Sequence, residues 1–397
     1  MSSANAKDQF VRFWKKLGLT FLILSPVLGY IAGSYIYEAT LPLDKPPFVH
    51  WCGLDPHSEV YVTWETSQET SSYIRYSTDL SNWTERENAT LTTFHKFHLT
   101  GLAPDTRYFY QAGASSSVPA GELHAVRSFK TAPSVLKEFN ITLISDTQQL
   151  LGMGFYNTIG QAIKNAGDTD FLVNAGDLAD DSKDQGLWNQ FFLESPYTDR
   201  IPLVPSPGNH DGIDDAGSLY VKYFGITENG RDVFYTFNWS NTQFVVGQIG
   251  SRSHVDPSDP RNAAHFAWLN QTLEKGQGMD YRVVIYHINR MEIMAPIIEK
   301  YNASLVVYGH VHQYRREYYN NHTYVCLGNG ATIQATMIED EPYVQKRTNG
   351  AGFSRLFFNA TGIKLETYTP TMDILDSVFL RRSGPGGVML VPDKIVT

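Results

Sequence analysis

Five short clusters of Asp, Asn and His residues follow apolar runs in the second half of this 397-residue chain. Carboxylate, carboxamide and imidazole groups are ligands for hard and borderline metal ions, and glycine beside them lets the backbone approach closely. Any one cluster alone is typical of a turn or of a structural histidine, but five in succession predict a metal site. In chain order they are Asp146-Thr-Gln148, Gly176-Asp177-Leu-Ala-Asp180, Gly208-Asn209-His210-Asp211, Val284-Ile-Tyr-His287 and Gly309-His310-Val-His312.

The elements that would position these clusters are short apolar runs with helical stretches between them. Residues 155–168 and 265–278 have the apolar spacing of amphipathic helices. This alternation predicts an α/β domain of largely buried strands over residues 139–370, with ligands bound at the carboxyl ends of the strands. The apolar runs are Ile141–Ile144, Phe171–Val173, Ile201–Val204, Val283–Tyr286 and Leu305–Tyr308.

Residues 45–132 have a different pattern, with short alternating strands separated by Gly, Pro, Asp and Ser. In residues 59–66, for example, Val60, Val62 and Trp64 share one face. Evenly spaced strands of this kind predict an antiparallel all-β sandwich. Residues 99–113, LTGLAPDTRYFYQAG, resemble the turn and aromatic strand of fibronectin type III modules, and residues 130–138 are predicted to be a linker.

The order of the five clusters is similar to that of calcineurin-like metallophosphoesterases. The segments VIYH and GHVH, the fibronectin-like module, and the later stretches YVCLGNGATI and GAGFSRLFFNATGIKLETY resemble the purple acid phosphatase branch of that family. The resemblance covers roughly residues 45–370. It implies an αββα sandwich preceded by the fibronectin type III-like domain.

The resemblance also implies a centre of two metal ions, Fe, Zn or Mn, about 3.5–4 Å apart and bridged by Asp177. A hydroxide held on the metals would attack a phosphate monoester, as in acid phosphatases, and His210 would act as general acid for the leaving oxygen. Asp211 either orients that imidazole or caps a turn. The implied ligands are Asp146 and His312 for one metal, and Asn209, His287 and His310 for the other.

Three positions depart from the purple enzymes. Asp180 stands where those enzymes have an iron-binding tyrosine, so we expect no purple colour. Gln148 stands where relatives have histidine or glycine, and no histidine lies between the fourth and fifth clusters. We expect Gln148 or Asp180 to complete the first metal shell, and the charge of Asp180 favours that residue. Arg252 and His254 are either substrate contacts or ordinary loop residues.

The same metal core leaves more than one function open. The first hypothesis is an acid phosphatase-like hydrolase acting on phosphate monoesters. A phosphodiesterase or nucleotide pyrophosphatase would use the same residues, and a glycosylated surface protein without turnover would keep only the fold. The formal charge of −9 argues against a nucleic-acid partner. Bound metal cations would then attract an anionic substrate locally.

The N-terminal segment indicates a membrane anchor. Residues 17–37 contain no charge, and as a helix would span about 30 Å. Four cations precede them, so the positive-inside rule predicts a cytosolic tail at residues 1–16. The chain would then be a single-pass type II membrane protein, with the remainder extracellular or in the secretory or lysosomal lumen. Alternatively, a signal peptide is cleaved near Ala32-Gly33-Ser34 and the protein is secreted.

Eight N-x-S/T acceptor sequences follow the apolar segment and agree with a lumenal N-glycoprotein. They begin at Asn82, Asn88, Asn140, Asn238, Asn270, Asn302, Asn321 and Asn359. Cys52 and Cys326 either form one disulfide or remain two buried thiols. Residues 371–397 are predicted to be a C-terminal tail, and the sequence does not predict an oligomeric state.

Overall fold

The computed structural model describes residues 45–114, 123–148, 155–195, 197–212, 218–225, 233–249, 258, 260–330, 341–384 and 387–391. No helix within these ranges is long and apolar enough to cross a membrane. The predicted cytosolic tail and membrane anchor, together with Arg252 and His254, lie outside the described residues.

The N-terminal domain is an antiparallel β structure, as predicted. Residues 59–66, predicted to be one short strand, instead belong largely to a long strand that continues to residue 77. It stays paired with its hairpin partner over this length, although the register shifts between Glu65 and Thr70 and between Thr70 and Ser72. The strands are β1 (Lys45–His50), β2 (Val60–Ser77), β3 (Thr84–Leu99), β4 (Arg107–Gly113) and β5 (Arg127–Lys130).

The remainder alternates strands and helices before ending in strands. Its helices are α1 (Phe155–Asn165), α2 (Gln185–Glu194), α3 (Leu219–Phe224), α4 (Pro260–Lys275) and α5 (Met291–Tyr301). Its strands are β6 (Phe139–Ile144), β7 (Phe171–Asn174), β8 (Leu203–Pro205), β9 (Tyr235–Trp239), β10 (Thr242–Val246), β11 (Tyr281–Ile285), β12 (Leu305–Tyr308), β13 (Tyr314–Tyr319), β14 (His322–Leu327), β15 (Val344–Thr348), β16 (Phe353–Asn359), β17 (Gly362–Tyr368), β18 (Ile374–Gly384) and β19 (Gly387–Val391).

Two sheets form the centre of this α/β domain. One contains the parallel strands β6, β7 and β8, and the other has the order β15-β13-β14-β12-β11-β10-β9. Rings from both sheets meet between them, with Phe171 of β7 lying 5.2 Å from Phe244 of β10 between ring centroids. Apolar residues of α1 and α2 pack on the first sheet, and those of α4 and α5 pack on the second. The predicted αββα sandwich is therefore confirmed.

The two predicted domains share a sheet. Strand β1 pairs with β2 on one side and runs parallel to β8 on the other, where His50 is in register with Leu203. Hydrogen bonding is thus continuous from β19 to β5 through a 12-stranded sheet. At the junction, the ring of Phe48 stacks on that of Phe192 at 4.5 Å. The linker at residues 130–138 therefore does not separate two independent bodies.

The C-terminal region corrects one prediction. Residues 374–384 and 387–391, assigned to a tail, form β18 and β19 and extend the first sheet beyond β17. The reason is the alternation within β18, which buries Val378 and Leu380 at 1% and 0% exposure. The disulfide alternative is also wrong, because Cys52 and Cys326 are both free and buried.

Candidate metal centre

The five polar clusters meet where strands of both sheets end. Asp146 follows β6, Asp177 follows β7, Asn209 follows β8, His287 follows β11 and His310 follows β12. Parallel strands present their carboxyl ends at the same edge, so residues far apart in sequence become neighbours there. The five clusters therefore converge at this edge, as predicted.

Hydrogen bonds between side chains and backbone groups connect the two sheets at this edge. The Nδ1–H group of His287 donates to the Ala175 carbonyl at 2.8 Å, which leaves the Nε2 lone pair facing the site. The backbone N–H of His310 donates to both carboxylate oxygens of Asp146 at 3.0 Å. Each sheet therefore orients a candidate ligand of the other.

One ligand group consists of Asp177, Asn209, His287 and His310. The Nε2 atom of His287 lies 3.1 Å from Asp177 Oδ2 and 3.2 Å from Asn209 Oδ1. The same Asn209 oxygen lies 2.8 Å from His310 Nδ1. Ligand atoms of Asp177, His287 and His310 all lie within 4.8 Å of one another. These atoms converge on one point, as the ligands of a metal ion do.

A second group surrounds Asp146 and His312. The Nε2 atom of His312 lies 3.5 Å from Asp146 Oδ1. The Gln148 amide nitrogen lies 3.2 Å from Asp177 Oδ2 and 3.4 Å from His312 Nε2. The Gln148 amide oxygen is buried and has no hydrogen-bond partner within the described residues. Because the two ends of an amide are nearly equivalent in shape, rotation of the group would aim this unsatisfied oxygen at the Asp177–His312 side.

The charges of this site fit bound cations. Asp146 and Asp177 are 0% and 1% exposed, and a buried carboxylate is costly unless its charge is compensated. Burial raises the pKa of Asp146. Burial also disfavours the Asp177 carboxylate, but the nearby His287 and His210 together outweigh burial and lower the pKa of that carboxyl. Within the described residues, imidazole, amide and backbone N–H groups contact these carboxylates, and the whole donor set suits Fe, Zn or Mn.

Local backbone geometry is specialised around these ligands. Asp146, Asp177 and His310 have left-handed φ angles of 57°, 55° and 70°, which non-glycine residues seldom adopt and which concentrate at functional sites. At Gly208 an added Cβ would lie 2.0 Å from Asp177 Oδ1. The close approach expected of the glycines beside the ligands is therefore required at this position.

His210 lies at the rim of the site with its side chain 38% exposed. Its backbone N–H donates to Asp177 Oδ1 at 2.9 Å, and its ring Nδ1–H donates to the Asp180 carbonyl at 2.7 Å. Burial opposes the imidazolium, but the carboxylate of Asp177, the Asp180 carbonyl and the Asp180 carboxylate outweigh it and raise the pKa of His210. An imidazole held at Nδ1 has Nε2 left to face a substrate.

Asp180 makes a contact that the sequence does not predict, and Asp211 makes the backbone contacts of the second of its two expected roles. The Asp180 carboxylate lies beside His210, with Oδ1 at 3.3 Å from Nδ1, whereas Gln148 contacts both Asp177 and His312. These contacts favour Gln148 over Asp180 as a ligand of the metal that Asp146 and His312 would hold. The Asp211 carboxylate accepts from the backbone N–H groups of Asp177, Leu178 and Gly208. It fixes two loops and does not orient the His210 ring.

Sequence reasoning missed the contact between Asp180 and His210. The spacing Gly-Asp-x-x-Asp indicates a metal shell and does not by itself indicate a contact with histidine. The signal that was available is the separation of three residues between Asp177 and Asp180. Both acids belong to one tight loop after β7, so one can face the metal site while the other faces the histidine at its rim.

Both domains match known families. Residues 139–314 match the calcineurin-like phosphoesterase family, and residues 46–131 match the purple acid phosphatase N-terminal domain. Purple acid phosphatase 23 from Arabidopsis thaliana is 25% identical over 316 residues, covering 64% of this chain and 66% of that relative. Purple acid phosphatase 15 from the same plant is 23% identical over 313 residues, covering 64% of this chain and 57% of that relative. The chain thus spans about two thirds or less of the length of these curated relatives.

A solved structure shares the fold. Purple acid phosphatase PPD1 from yellow lupin (Lupinus luteus) seeds matches with a TM-score of 0.71 at 16% identity, covering 89% of this chain and 78% of that chain. The two matched regions lie in the order and at the positions of the N-terminal β domain and the α/β domain described above. The chain therefore contains a calcineurin-like phosphoesterase domain preceded by a purple acid phosphatase N-terminal domain.

Proposed function

We propose that this protein is a dinuclear-metal-dependent phosphatase that hydrolyses phosphate monoesters, with acid phosphatase-like activity. The observation that carries the proposal is the convergence of Asp177, Asn209, His287 and His310 around one point, beside the group of Asp146 and His312. A single oxygen of Asp177, Oδ2, lies beside both groups. It is 3.1 Å from Nε2 of His287 and 3.2 Å from the amide nitrogen of Gln148. This is the arrangement that a ligand shared by two metals needs.

The roles of the residues follow from their positions. Asp146, Asp177, Asn209, His287, His310 and His312 would hold the metals, with Gln148 as the additional candidate. Bound there, a metal pair offsets the charge of the phosphoryl oxygens and lowers the pKa of a water nucleophile. His210 would donate its Nε2 proton to the leaving oxygen. Asp180 would keep the His210 ring oriented through its carbonyl and favour the protonated form through its carboxylate.

The test is hydrolysis of nitrophenyl phosphate and of bis(nitrophenyl) phosphate by the purified protein after loading with Fe, Zn or Mn. We expect two metals per chain and a clear preference for the monoester at acid pH. Preference for the diester would overturn the choice in favour of a phosphodiesterase. Two bound metals without turnover of either ester would leave a non-catalytic glycoprotein.

An Asp177→Asn variant is the internal control for that assay. Replacing one carboxylate oxygen by an amide nitrogen removes the bridging charge at nearly the same side-chain volume. We expect turnover to be abolished and the metal content to fall below two. Activity that survives in this variant would come from a contaminating phosphatase or from a different site.

We further propose that the N-terminal segment anchors the protein in a membrane. The described domains would then lie in a lumen or outside the cell and would carry N-glycans. Exposure of the acceptor sites supports this topology. Asn82, Asn88, Asn238, Asn302 and Asn321 are exposed. By contrast, Asn270 is engaged at both ends of its amide, and Arg355 holds the Asn140 amide oxygen.

Glycosidase digestion and protease protection test this topology. We expect digestion of the cell-expressed protein to lower its mass, and intact vesicles to protect the domains from added protease. Mass spectrometry should find Asn140 and Asn270 unmodified. A protein without glycans whose domains are digested on the cytosolic side would overturn the proposed topology.

A further inference from the structure

A buried carboxylate in the N-terminal domain connects this domain to the catalytic domain. Glu65, on β2, is only 7% exposed. Its carboxylate accepts from the ammonium groups of Lys45 and Lys222 and, at 2.9 Å, from the hydroxyl of Tyr223. Lys222 and Tyr223 belong to α3 of the catalytic domain. Breaking such a buried pair on one side is costly, so Glu65 fixes the position of α3 against the N-terminal domain.

The other end of α3 is bonded to both loops of the metal centre. The hydroxyl of Ser218, the N-cap of α3, donates to the carbonyl of Asp211 at 2.8 Å. The backbone N–H of Leu219 donates to the carbonyl of Ser182 at 2.8 Å. Ser182 lies in the loop that begins with Asp177. A helix of six residues is thus anchored at one end to the N-terminal domain and at the other to the site.

Asp211 continues the connection to the ligands. Its carboxylate receives the backbone N–H of Asp177 at 3.0 Å and that of Gly208 at 2.7 Å. Gly208 immediately precedes the candidate ligand Asn209. A displacement of α3 would therefore move Asp211 and, with it, the backbone that presents two ligands.

A parallel contact reaches the end of the second loop. The Gln185 side-chain amide donates to the Tyr223 hydroxyl at 3.3 Å, and Gln185 is the first residue of α2. The loop between Asp177 and α2 is thus held at Ser182 through Leu219 and at Gln185 through Tyr223. Tyr223 consequently links this loop to Glu65 through a single hydroxyl.

We propose that Glu65 is a positioning residue for the metal centre, through which the N-terminal domain sets its metal affinity. It acts by fixing α3, which holds the loops that present Asp177 and Asn209. The inference rests on the proposed function only for the identity of the ligand, a pair of metal ions. It assigns a role to the N-terminal domain that does not require contact with substrate.

The test is a double variant, Lys222→Met with Tyr223→Phe, which cuts the polar link from α3 to Glu65. Both replacements keep most of the side-chain volume, and the pair of Glu65 with Lys45 remains. The control is Arg127→Met, which removes the partly buried ion pair of Arg127 with Asp199. That pair also joins the two domains, but Asp199 precedes β8 and lies at the strand end opposite the metal centre.

Zinc binding to metal-free protein is measured by competition with a chromophoric chelator, and unfolding is followed by circular dichroism. Loss of an outer-shell partner lowers metal affinity about 10- to 100-fold, and we expect at least about tenfold weaker binding in the double variant. The control should lose thermal stability and keep its zinc affinity within about twofold. Unchanged affinity in the double variant, or an equal loss in the control, would overturn the inference. Absence of zinc binding in the unaltered protein would instead refute the proposed function.

Discussion

The Nδ1 atom of His210 lies 2.7 Å from the carbonyl oxygen of Asp180 and 3.3 Å from its carboxylate. Both contacts act on the same ring nitrogen, which a carbonyl acceptor keeps protonated. The ring is therefore oriented with Nε2 toward the rim of the metal centre. Asp180, which the sequence suggests as a metal ligand, is thus in contact with the proposed general acid.

Replacing His210 by alanine should lower kcat without removing metal. General acid catalysis contributes about 10²- to 10⁴-fold, and the larger loss is expected for an alkyl phosphate, whose leaving oxygen needs a proton. Nitrophenyl phosphate should lose less, because nitrophenolate is stable without one. Steady-state kinetics on both esters, with metal analysis of the same samples, measures the difference. Equal losses on the two esters would argue against the general-acid role.

Replacing Asp180 by asparagine should reproduce part of that pattern. The backbone carbonyl still holds Nδ1, and only the carboxylate charge is lost. An ion pair between partly exposed groups contributes up to about 1 kcal/mol, so we expect kcat on the alkyl ester to fall up to about fivefold. Metal content and KM should stay near those of the unaltered protein. Loss of one metal from this variant would show instead that Asp180 completes the first metal shell.

Replacing Gly208 by alanine should weaken metal binding by at least about tenfold, as other losses of ligand support do. The new methyl group would lie 2.0 Å from Asp177 Oδ1 and 2.2 Å from the Asp177 backbone nitrogen, so the ligand must move. Gly278→Ala is the matched control, because an added Cβ there meets nothing within 4 Å. Chelator competition on both variants tests the prediction, which fails if the two bind zinc equally.

Removing the metals should destabilise the folded protein. Asp146 and Asp177 would lose their counterions while remaining buried, and a ligand present at 1,000 times its Kd contributes about 4 kcal/mol per site. Thermal unfolding before and after chelation should show a lower Tm that recovers when metal is restored. Asp177→Asn should respond less to chelation than the unaltered protein does. A Tm that chelation leaves unchanged would contradict the metal assignment.

Neither cysteine should react with thiol reagents in the folded protein. Burial raises the pKa of Cys52 to about 12 and also raises the pKa of Cys326, so at pH 8 little reactive thiolate forms. Ellman's reagent should detect two thiols only after denaturation, without any reducing agent. Detection of no thiols in denaturant would mean that a disulfide had formed.

The convergence of the candidate ligands was predictable because their residue types are chemically specialised. Glycines beside Asp177, Asn209 and His310 have few other uses at strand ends, and the order of five clusters limits the fold. The partners of Asp211 were not predictable, because three backbone N–H groups, two of them more than thirty positions away, carry no side-chain signature. Nor was the role of Asp180, since a carboxylate suits a metal and an imidazole equally well.

The C-terminal strands and the shared sheet were missed for a different reason. Residues 371–397 include Gly, Pro and Arg residues typical of a tail. The alternating apolar residues of β18 indicate a strand only once β17 is known to pair with it. Strand β1 shows the same dependence, because one register pair, His50 with Leu203, joins it to β8. Pairing over such distances depends on tertiary context, which propensity does not contain.

That single junction between β1 and β8 determines how the protein can be divided. A chain cut in the segment between residues 132 and 139 would leave β8 with an open edge and expose the ring of Phe192 that Phe48 covers. Unpaired edges of this kind promote aggregation. We therefore expect the two matched domains to unfold together as one cooperative unit. Replacing either domain by another would require a new pairing partner for β1 or for β8.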